Sequence, residues 1–377
     1  MPVKLRKVSG QPSWRLASDQ VQAFITQRGG HLGPVAFSLS ERKIEPFSVA
    51  PWAEERLPRQ TPSILKVLRG DFFCCPFGGN ARIWRGEKHP PHGETANAAW
   101  KWETERHEKN IHSLHLSLSA KARPGRIDKK ILLRNGHNAL YCWHTISDMS
   151  GPMPLGHHAM LRFPRQPGSG RLTTSPFVFG KVCDVFDAPG AGTPSALKPG
   201  ADFTRLDQVP TADGGLADLS QYPARHGFDD LIMLIGRPDL PFAWTAVTFP
   251  RQRYVWFALK NPSVLRFTIL WFSNGGRRYA PWNGRHDRIM GLEEVTAYFH
   301  HGLAESARKN PLNQSGFPTT IELSKNHPLT VRYVMAVQSI PPGFDFVSDI
   351  RLRDGQAILH SRSGKQVAAP MDTSFIL

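Results

Sequence analysis

The chain has 377 residues, 40% of them hydrophobic and 21% charged, which is enough to bury a substantial core and argues against wholesale disorder. No run approaches the roughly 18 apolar residues that a transmembrane helix needs. Lys and Arg total 47 against 31 Asp and Glu, and the net charge of +16 raises nucleic acids, acidic membrane surfaces and anionic substrates as classes of partner.

The first 14 residues are basic and then polar, where a secretory signal would place an apolar stretch of about 7–15 residues. We therefore expect a cytoplasmic protein. The four cysteines, Cys74, Cys75, Cys142 and Cys183, show no CxxC pair and no metal-ligand spacing. We expect them to be reduced, buried thiols.

Short segments rich in Val, Ile, Phe, Trp and Thr alternate with turns along most of the chain. The 32 Gly and 32 Pro residues punctuate these segments, as is typical of an all-β sandwich or barrel. Apolar and polar residues alternate most clearly in residues 14–16, 21–26, 112–119 and 266–272. Each of these segments is predicted to be a strand with one buried face.

Helical periodicity is scarce, and the best candidate, residues 302–309, spans barely two turns before an Asn-Pro pair. Residues 187–218 are predicted to form a long surface excursion, because strand patterns continue on both sides of them. We expect one sheet-rich domain over residues 1–342. Residues 343–377 are expected to be a C-terminal strand extension packed on the same domain.

The first concentration of polar functional groups lies in residues 70–94, where several glycines accompany Arg82 and His92. The glycines permit close backbone approach, and the two side chains offer hydrogen-bond donors. A glycine-rich hairpin with a solvated arginine and a loop histidine explains the segment equally well. The glycines match no phosphate-binding loop.

Two further segments place polar residues on apolar strands. Residues 155–163 carry His157 and His158, for which one core and one surface histidine is the plain structural explanation. Residues 227–235 open with Asp229 and Asp230, which a surface cap at the start of the strand would also explain.

The last such segment, residues 289–296, carries Glu293 and Glu294 between apolar neighbours. A carboxylate flanked by Leu292 and Val295 is costly to bury unless it is paired or functional. No GxSxG motif is present, so a serine hydrolase has little support.

Taken in this order, the segments resemble the galactose mutarotase (aldose 1-epimerase) superfamily, especially its divergent bacterial branch. Residues 27–32 are similar to the early Gly-Gly turn of the family. Residues 77–83 are similar to its sugar-contacting Asn-Arg-Ile segment, and His92-Gly93 to its His-Gly segment. The resemblance covers most of residues 12–342.

The same resemblance implies roles for individual residues. Residues 155–159 resemble the Gly-Trp-His-Pro form of the catalytic histidine segment, which makes His158 the acid. Gly291-Leu292-Glu293 resembles the Gly-Leu-Glu-Pro segment, which makes Glu293 the base. Asp229, in the segment similar to the one that supplies an aspartate, is expected to bind sugar hydroxyls together with Arg82 and His92.

The chain also departs from the family pattern. Glu294 stands where the family has proline, and Ala159 and Met160 replace the Pro-Tyr that follows the histidine. Asn80 is one residue further from Arg82 than is common. These departures leave open which sugar is recognised. They also leave open that the protein binds a sugar without catalysing a reaction.

The family implies a β-supersandwich of antiparallel sheets with few short helices, whose concave face binds a hexose without metal or nucleotide cofactor. The expected function is interconversion of α and β anomers of a hexose or related sugar, with Glu293 as base and His158 as acid. The expected partner is a small-molecule sugar, with or without a phosphate group, rather than nucleic acid or membrane. Trp244 and Trp271 are candidates for stacking on the sugar, although both also fit core strand positions.

Three alternatives remain. The main one is a non-catalytic carbohydrate-binding or regulatory module on the same fold. A glycan-cleaving enzyme would need a further acid pair or a Tyr-His arrangement. Nucleic-acid binding is disfavoured because the basic clusters at 4–7, 121–130 and 277–278 are dispersed.

Overall fold

The computed structural model describes residues 4–40, 42–187 and 191–377, and within these ranges the chain is built almost entirely of antiparallel strands. The first twelve are β1 (Arg6–Val8), β2 (Gln11–Ala17), β3 (Val21–Thr26), β4 (Leu32–Leu39), β5 (Arg42–Ile44), β6 (Phe73–Cys74), β7 (Lys101–Glu108), β8 (Ile111–Ala120), β9 (Gly125–Arg134), β10 (Ala139–Ser147), β11 (Gly151–Met153) and β12 (Leu155–Arg162). The next nine are β13 (Gly170–Thr174), β14 (Phe177–Val182), β15 (Asp202–Phe203), β16 (Val209–Pro210), β17 (Leu216–Ala217), β18 (Gln221–Tyr222), β19 (Asp229–Gly236), β20 (Ala243–Phe249) and β21 (Tyr254–Lys260). The last seven are β22 (Phe267–Ser273), β23 (Ile289–Thr296), β24 (Ile321–Leu323), β25 (Leu329–Ser339), β26 (Val347–Arg353), β27 (Gln356–Ser361) and β28 (Gln366–Pro370).

Three large sheets organise these strands. A five-stranded meander has the order β1-β2-β3-β4-β5, a nine-stranded sheet the order β18-β13-β20-β21-β25-β10-β9-β8-β7, and a seven-stranded sheet the order β15-β14-β19-β22-β23-β12-β6. One hydrophobic cluster contains buried residues of all three sheets. The predicted all-β class and the architecture of antiparallel sheets are confirmed.

The seven-stranded sheet is buried on both faces. Ile232 and Leu234 of β19 point into the cluster shared with the other two sheets, whereas Leu231 and Met233 point into a second cluster on the opposite face. Strand β22 is buried at all seven positions for the same reason. The prediction that residues 266–272 have a single buried face was therefore wrong, because this strand is central and covered on both sides.

The α-helices are accessories, α1 (Ser63–Val67), α2 (Leu303–Ala307) and α3 (Pro311–Gln314). None of those described is long enough to cross a bilayer. The predicted helix at 302–309 is α2. Asn310 and Pro311 do more than end it, because the Asn310 side chain caps α3 and accepts a hydrogen bond from the backbone N–H of Asn313.

The surface excursion predicted for 187–218 is held to the sheet by a buried carboxylate. Asp230 accepts hydrogen bonds from the Ser195 hydroxyl at 2.8 Å and from the backbone N–H groups of Ala196 and Leu197 at 2.9 and 3.1 Å. Asp230 is 2% exposed, so it is not a surface cap. Residues 188–190 of the excursion lie outside the described residues.

The C-terminal residues form a three-stranded sheet in the order β26-β27-β28. Ile350 and Leu359 of this sheet share a hydrophobic cluster with Trp244 and Phe257 of the nine-stranded sheet. Trp244 therefore packs under the C-terminal strands, away from the other candidate for sugar stacking, Trp271.

A buried ion pair lies between the large sheets. Glu294 of β23 pairs with the Lys260 ammonium of β21, and its two oxygens accept hydrogen bonds from the hydroxyls of Thr245 at 2.6 Å and Thr268 at 2.7 Å. Glu294 and Lys260 are 1% and 3% exposed. The cost of burying the Glu294 carboxylate is thus offset by a full set of partners.

Replacing Glu294 with Ala leaves the Lys260 charge buried without its counter-ion, so we expect the free energy of unfolding to fall by about 3–5 kcal/mol. Urea denaturation measures the change. The matched control is Glu108→Ala at the exposed Arg106–Glu108 pair, where the loss should be about 0–1 kcal/mol. Equal losses in the two variants would contradict this assignment.

Candidate functional site

A cavity of about 540 Å³ opens on the face of the seven-stranded sheet that points away from the nine-stranded sheet. Four adjacent strands contribute to its wall, through Leu231 of β19, Trp271 of β22, Glu293 of β23 and His158 of β12. Side chains alternate between the two faces of a strand, so every second residue of each strand can face this wall. The volume lies in the range of roughly 300–1,000 Å³ that is usual for small-molecule sites.

The imidazole of His158 and the carboxyl group of Glu293 meet at the cavity wall. The two residues are direct partners in the antiparallel register of β12 and β23. His158 Nε2 lies 3.2 Å from Glu293 Oε1, and the two side chains are only 5% and 3% exposed. The His158 backbone N–H donates to the carbonyl of Phe72, whose ring stacks on the imidazole at 4.6 Å.

The neighbouring residues His157 and Glu294 take the opposite face. His157 is fully buried between the sheets, and its Nδ1 lies 2.8 Å from Asp71 Oδ2. Both histidines of the segment are therefore buried, in contrast to the core-and-surface arrangement that composition alone favours. The pleat thus separates a cavity pair, His158 and Glu293, from two residues with structural partners.

Burial controls the protonation of the cavity pair. Burial raises the pKa of Glu293 to about 8, and the positive charge of Arg277 partly opposes this increase. Burial lowers the pKa of His158 to about 3. Near neutral pH the pair then holds one proton, on the carboxyl group, because a charged form of either group is poorly solvated there.

His92 also reaches the cavity, from the turn that precedes Gly93. Its ring centroid lies 5.2 Å from that of His158, and its Nδ1 lies 3.4 Å from Cys74 Sγ. Burial lowers the pKa of His92 well below its usual value, so the ring is neutral and can donate at one nitrogen and accept at the other. Three of the predicted site residues, His92, His158 and Glu293, are thus brought together.

Asp229 lies behind the cavity wall rather than in it. Its carboxylate accepts from the Trp271 indole at 3.2 Å, from the Ser273 hydroxyl at 2.9 Å, and from the backbone N–H groups of Asn274 and Gly276 at 3.1 and 2.9 Å. Asp229 is 0% exposed. Through these hydrogen bonds Asp229 holds Trp271 and the backbone behind the cavity wall in position. A carboxylate placed there cannot also contact a sugar hydroxyl in the cavity.

Arg82 points away from the cavity. Its side chain is 69% exposed and its Nε lies 3.4 Å from Glu305 Oε1. The residue turned inward is Asn80, whose amide donates to the carbonyls of Gly78 and Pro90 at 3.0 and 3.1 Å.

Comparison with protein-family models and with curated proteins finds no match for this chain. Comparison with solved structures, in contrast, finds proteins of similar fold. The chain superposes on the aldose epimerase homologue from C. elegans with a TM-score of 0.56 at 13% identity, covering 88% of this chain and 100% of the other.

Two bacterial structures superpose equally well. A galactose mutarotase related enzyme from Lactobacillus acidophilus has a TM-score of 0.55 at 12% identity, covering 87% of this chain and 97% of the other. A galactose mutarotase-like protein from Clostridium acetobutylicum has a TM-score of 0.55 at 12% identity, covering 89% and 98%. The chain has the galactose mutarotase-like fold. At these low sequence identities, the superpositions show a shared fold and nothing further about this chain.

Within this mutarotase-like fold, the residue that sequence reasoning missed at the cavity is Arg277. Its guanidinium lies 4.8 Å from the ring centroid of Phe186, 4.9 Å from Trp271 and 4.7 Å from Trp282. Its Nε lies 3.5 Å from Asp187 Oδ2. In the sequence Arg277 belongs only to a short basic cluster, and nothing there indicates that three aromatic side chains from separate segments surround it.

The Glu293 carboxyl group is expected to lose its proton near pH 8. Carbon NMR of protein labelled in the glutamate carboxyl groups, with the signal assigned by its loss in Glu293→Gln, measures this titration. In Arg277→Gln the pKa should rise further, because a positive charge that favours the carboxylate has been removed. Titration near the ordinary glutamate value of about 4.3 would contradict the account of burial.

Proposed function

We propose that the protein is an aldose 1-epimerase-like enzyme that interconverts the α and β anomers of a hexose or related sugar. The observation that carries the proposal is the directly opposed pair of His158 and Glu293, whose side chains lie 3.2 Å apart and nearly fully buried at the cavity wall. The galactose mutarotase-like fold, and its occurrence in proteins named as an aldose epimerase homologue and a galactose mutarotase related enzyme, support the choice of substrate class.

The reaction needs one acid and one base at the same anomeric centre. The base takes the proton from the anomeric hydroxyl O1 while the acid gives a proton to the ring oxygen O5, so the C1–O5 bond breaks and an aldehyde forms. Rotation about the C1–C2 bond then presents the other face of the carbonyl, and closure returns both protons. The proton count of the enzyme is unchanged over the cycle.

His158 and Glu293 fit this requirement because their polar atoms lie 3.2 Å apart and the two groups together hold one proton near neutral pH. The roles implied by the family, Glu293 as base and His158 as acid, use the arrangement with the proton on the imidazole. Burial in the structure favours the proton on the carboxyl group. Both arrangements carry the same number of protons, so either can enter the reaction. A general acid or base at hydrogen-bond distance from the reacting group typically contributes about 10²–10⁴-fold to the rate.

Other residues of the cavity would hold the sugar in place. His92, neutral and beside His158, offers a hydrogen bond to a sugar hydroxyl. Trp271 and Trp282 line the cavity and offer apolar contact to a pyranose, while the Arg277 guanidinium lies over both rings. Holding the opened chain near both reacting groups lets closure compete with escape of the aldehyde.

The test is the rate of approach to anomeric equilibrium, measured by polarimetry on a panel of free and phosphorylated aldoses. We expect Glu293→Gln and His158→Asn each to lower the rate for the accepted sugar by about 10²–10⁴-fold. The matched controls are Glu322→Gln and His327→Asn. Glu322 lies in β24 and His327 in the turn after it, and both are exposed and outside the cavity. These should retain the wild-type rate.

Full activity in both cavity variants would rule out the proposed pair. A sugar that binds the wild-type protein while no aldose equilibrates faster would favour the non-catalytic carbohydrate-binding module instead. That alternative draws its support from the placement of Arg82 and Asp229, which leaves the cavity without two of the expected hydroxyl contacts.

A further inference from the structure

Four side chains that commonly bind metal ions meet beside the cavity, outside the proposed acid–base pair. Cys183 and Asp184 directly follow β14, and His300 and His301 lie in the loop between β23 and α2. One ligand atom each of Cys183, Asp184 and His301 lies within 4.8 Å of the others. His300 Nδ1 lies 3.9 Å from Cys183 Sγ, and His301 Nε2 lies 3.9 Å from Asp184 Oδ1.

Hydrogen bonds to other parts of the chain anchor the backbones of both segments, so the two segments are held close together without contacts among the four side chains. The backbone N–H of Cys183 donates to the carbonyl of Leu231 at 2.9 Å, which fixes the end of β14 against β19. The carbonyls of His300 and His301 accept from the backbone N–H groups of Gly79 and Asn80 at 2.6 and 3.1 Å.

Gly302 is what permits the close approach of the histidine loop to Asn80. Its φ is +119°, and a Cβ at this position would lie 2.5 Å from the backbone nitrogen and 2.6 Å from Oδ1 of Asn80. A larger residue would push the loop that carries His300 and His301 away from Cys183. The loop conformation therefore depends on contacts that are independent of any bound ion.

The donor set is chemically selective. One thiolate, two imidazoles and one carboxylate suit Zn²⁺, which binds Cys, His and Asp in tetrahedral sites. A tetrahedral zinc ion with bonds of about 2.0–2.3 Å holds its ligand atoms about 3.3–3.6 Å apart. The ligand atoms of Cys183, Asp184 and His301 lie within 4.8 Å of one another, so side-chain movements of about 1 Å would bring these three to zinc-binding distances. His300, whose Nδ1 lies 3.9 Å from the Cys183 thiol, would join as the fourth ligand by a further rotation toward the ion. Cys183 is buried, His301 is partly exposed and Asp184 is exposed, which leaves an open path from solvent.

We propose that Cys183, Asp184, His300 and His301 form a binding site for Zn²⁺ at the rim of the cavity. Binding releases the thiol proton of Cys183 to solvent, and the thiolate, the carboxylate and the two neutral imidazoles ligate the ion. Four protein ligands leave no open position, so the site is structural. It joins the end of β14 to the loop whose His300 also lines the cavity, and no step of the proposed reaction passes through it.

Cobalt is the probe, because Co²⁺ takes tetrahedral zinc sites and its bond to a thiolate absorbs in the near ultraviolet. Untagged full-length protein is treated with chelator, returned to reducing buffer without metal and titrated with Co²⁺. We expect one equivalent to produce the thiolate band and the visible bands of a tetrahedral ion, and Zn²⁺ to abolish both. Absence of the thiolate band in the wild-type protein would overturn the proposal.

Cys183→Ala should lose the thiolate band, whereas the matched variant Cys142→Ala, which removes a buried thiol outside the cluster, should keep it. His301→Ala and Asp184→Asn change partly exposed or exposed side chains and test the site even if Cys183→Ala does not fold. Each should weaken Co²⁺ binding by at least about tenfold, because even outer partners of metal ligands contribute about 10–100-fold. Unchanged affinity in both, or a thiolate band that survives Cys183→Ala, would contradict the assignment.

Discussion

The register between β12 and β23 is the constraint on which the site depends. In antiparallel strands each residue faces one partner, and successive side chains point to opposite faces. The pairing of His158 with Glu293 therefore also pairs His157 with Glu294. A slip of β12 by one residue would turn His158 into the core, bring His157 to the cavity and break the pairing of His158 with Glu293. The buried contact of His157 with Asp71 opposes such a slip, and that of Glu294 with Lys260 opposes the corresponding slip of β23, because each residue would lose its partner.

Burial on both faces of the seven-stranded sheet gives the same pair its chemistry. In water near neutral pH a glutamate carboxyl group is ionised, and an imidazole with a pKa of about 6.5 is partly protonated. At the cavity wall the loss of hydration favours neutral groups, and the Arg277 charge only partly restores the carboxylate. Near neutral pH the two groups together therefore hold one proton, on Glu293, and the proposed reaction, which takes one proton from O1 and gives one to O5, needs one proton on the pair.

The fold and the central pair could be predicted from the sequence because both follow from local patterns. Alternation located β3 and β8, and the order of short motifs identified His158 and Glu293. Asp229 and Arg82 could not be placed in this way, since a motif gives a residue its neighbours in sequence but not the direction of its side chain. At the buried start of β19 the Asp229 carboxylate accepts from backbone N–H groups, whereas the Arg82 side chain points to solvent beside Glu305.

Features formed by distant segments left no sequence pattern at all. The cage of Arg277 uses aromatic residues of three separate segments, and the cluster of Cys183, Asp184, His300 and His301 joins two segments more than a hundred residues apart. Neither has the short, regular spacing by which metal or cofactor motifs are recognised. Their assembly depends on the order of strands in the sheet, which local periodicity does not encode.

The pH dependence of kcat/KM for anomer exchange, followed by NMR exchange spectroscopy with the accepted sugar, tests the central claim most directly. If His158 and Glu293 act as a unit with one proton, kcat/KM should fall about tenfold per pH unit above a pKa of about 8, because the pair then holds no proton to give to O5. A kcat/KM that instead rises through pH 8 to a plateau would show that the fully deprotonated pair is the active form and would contradict the account.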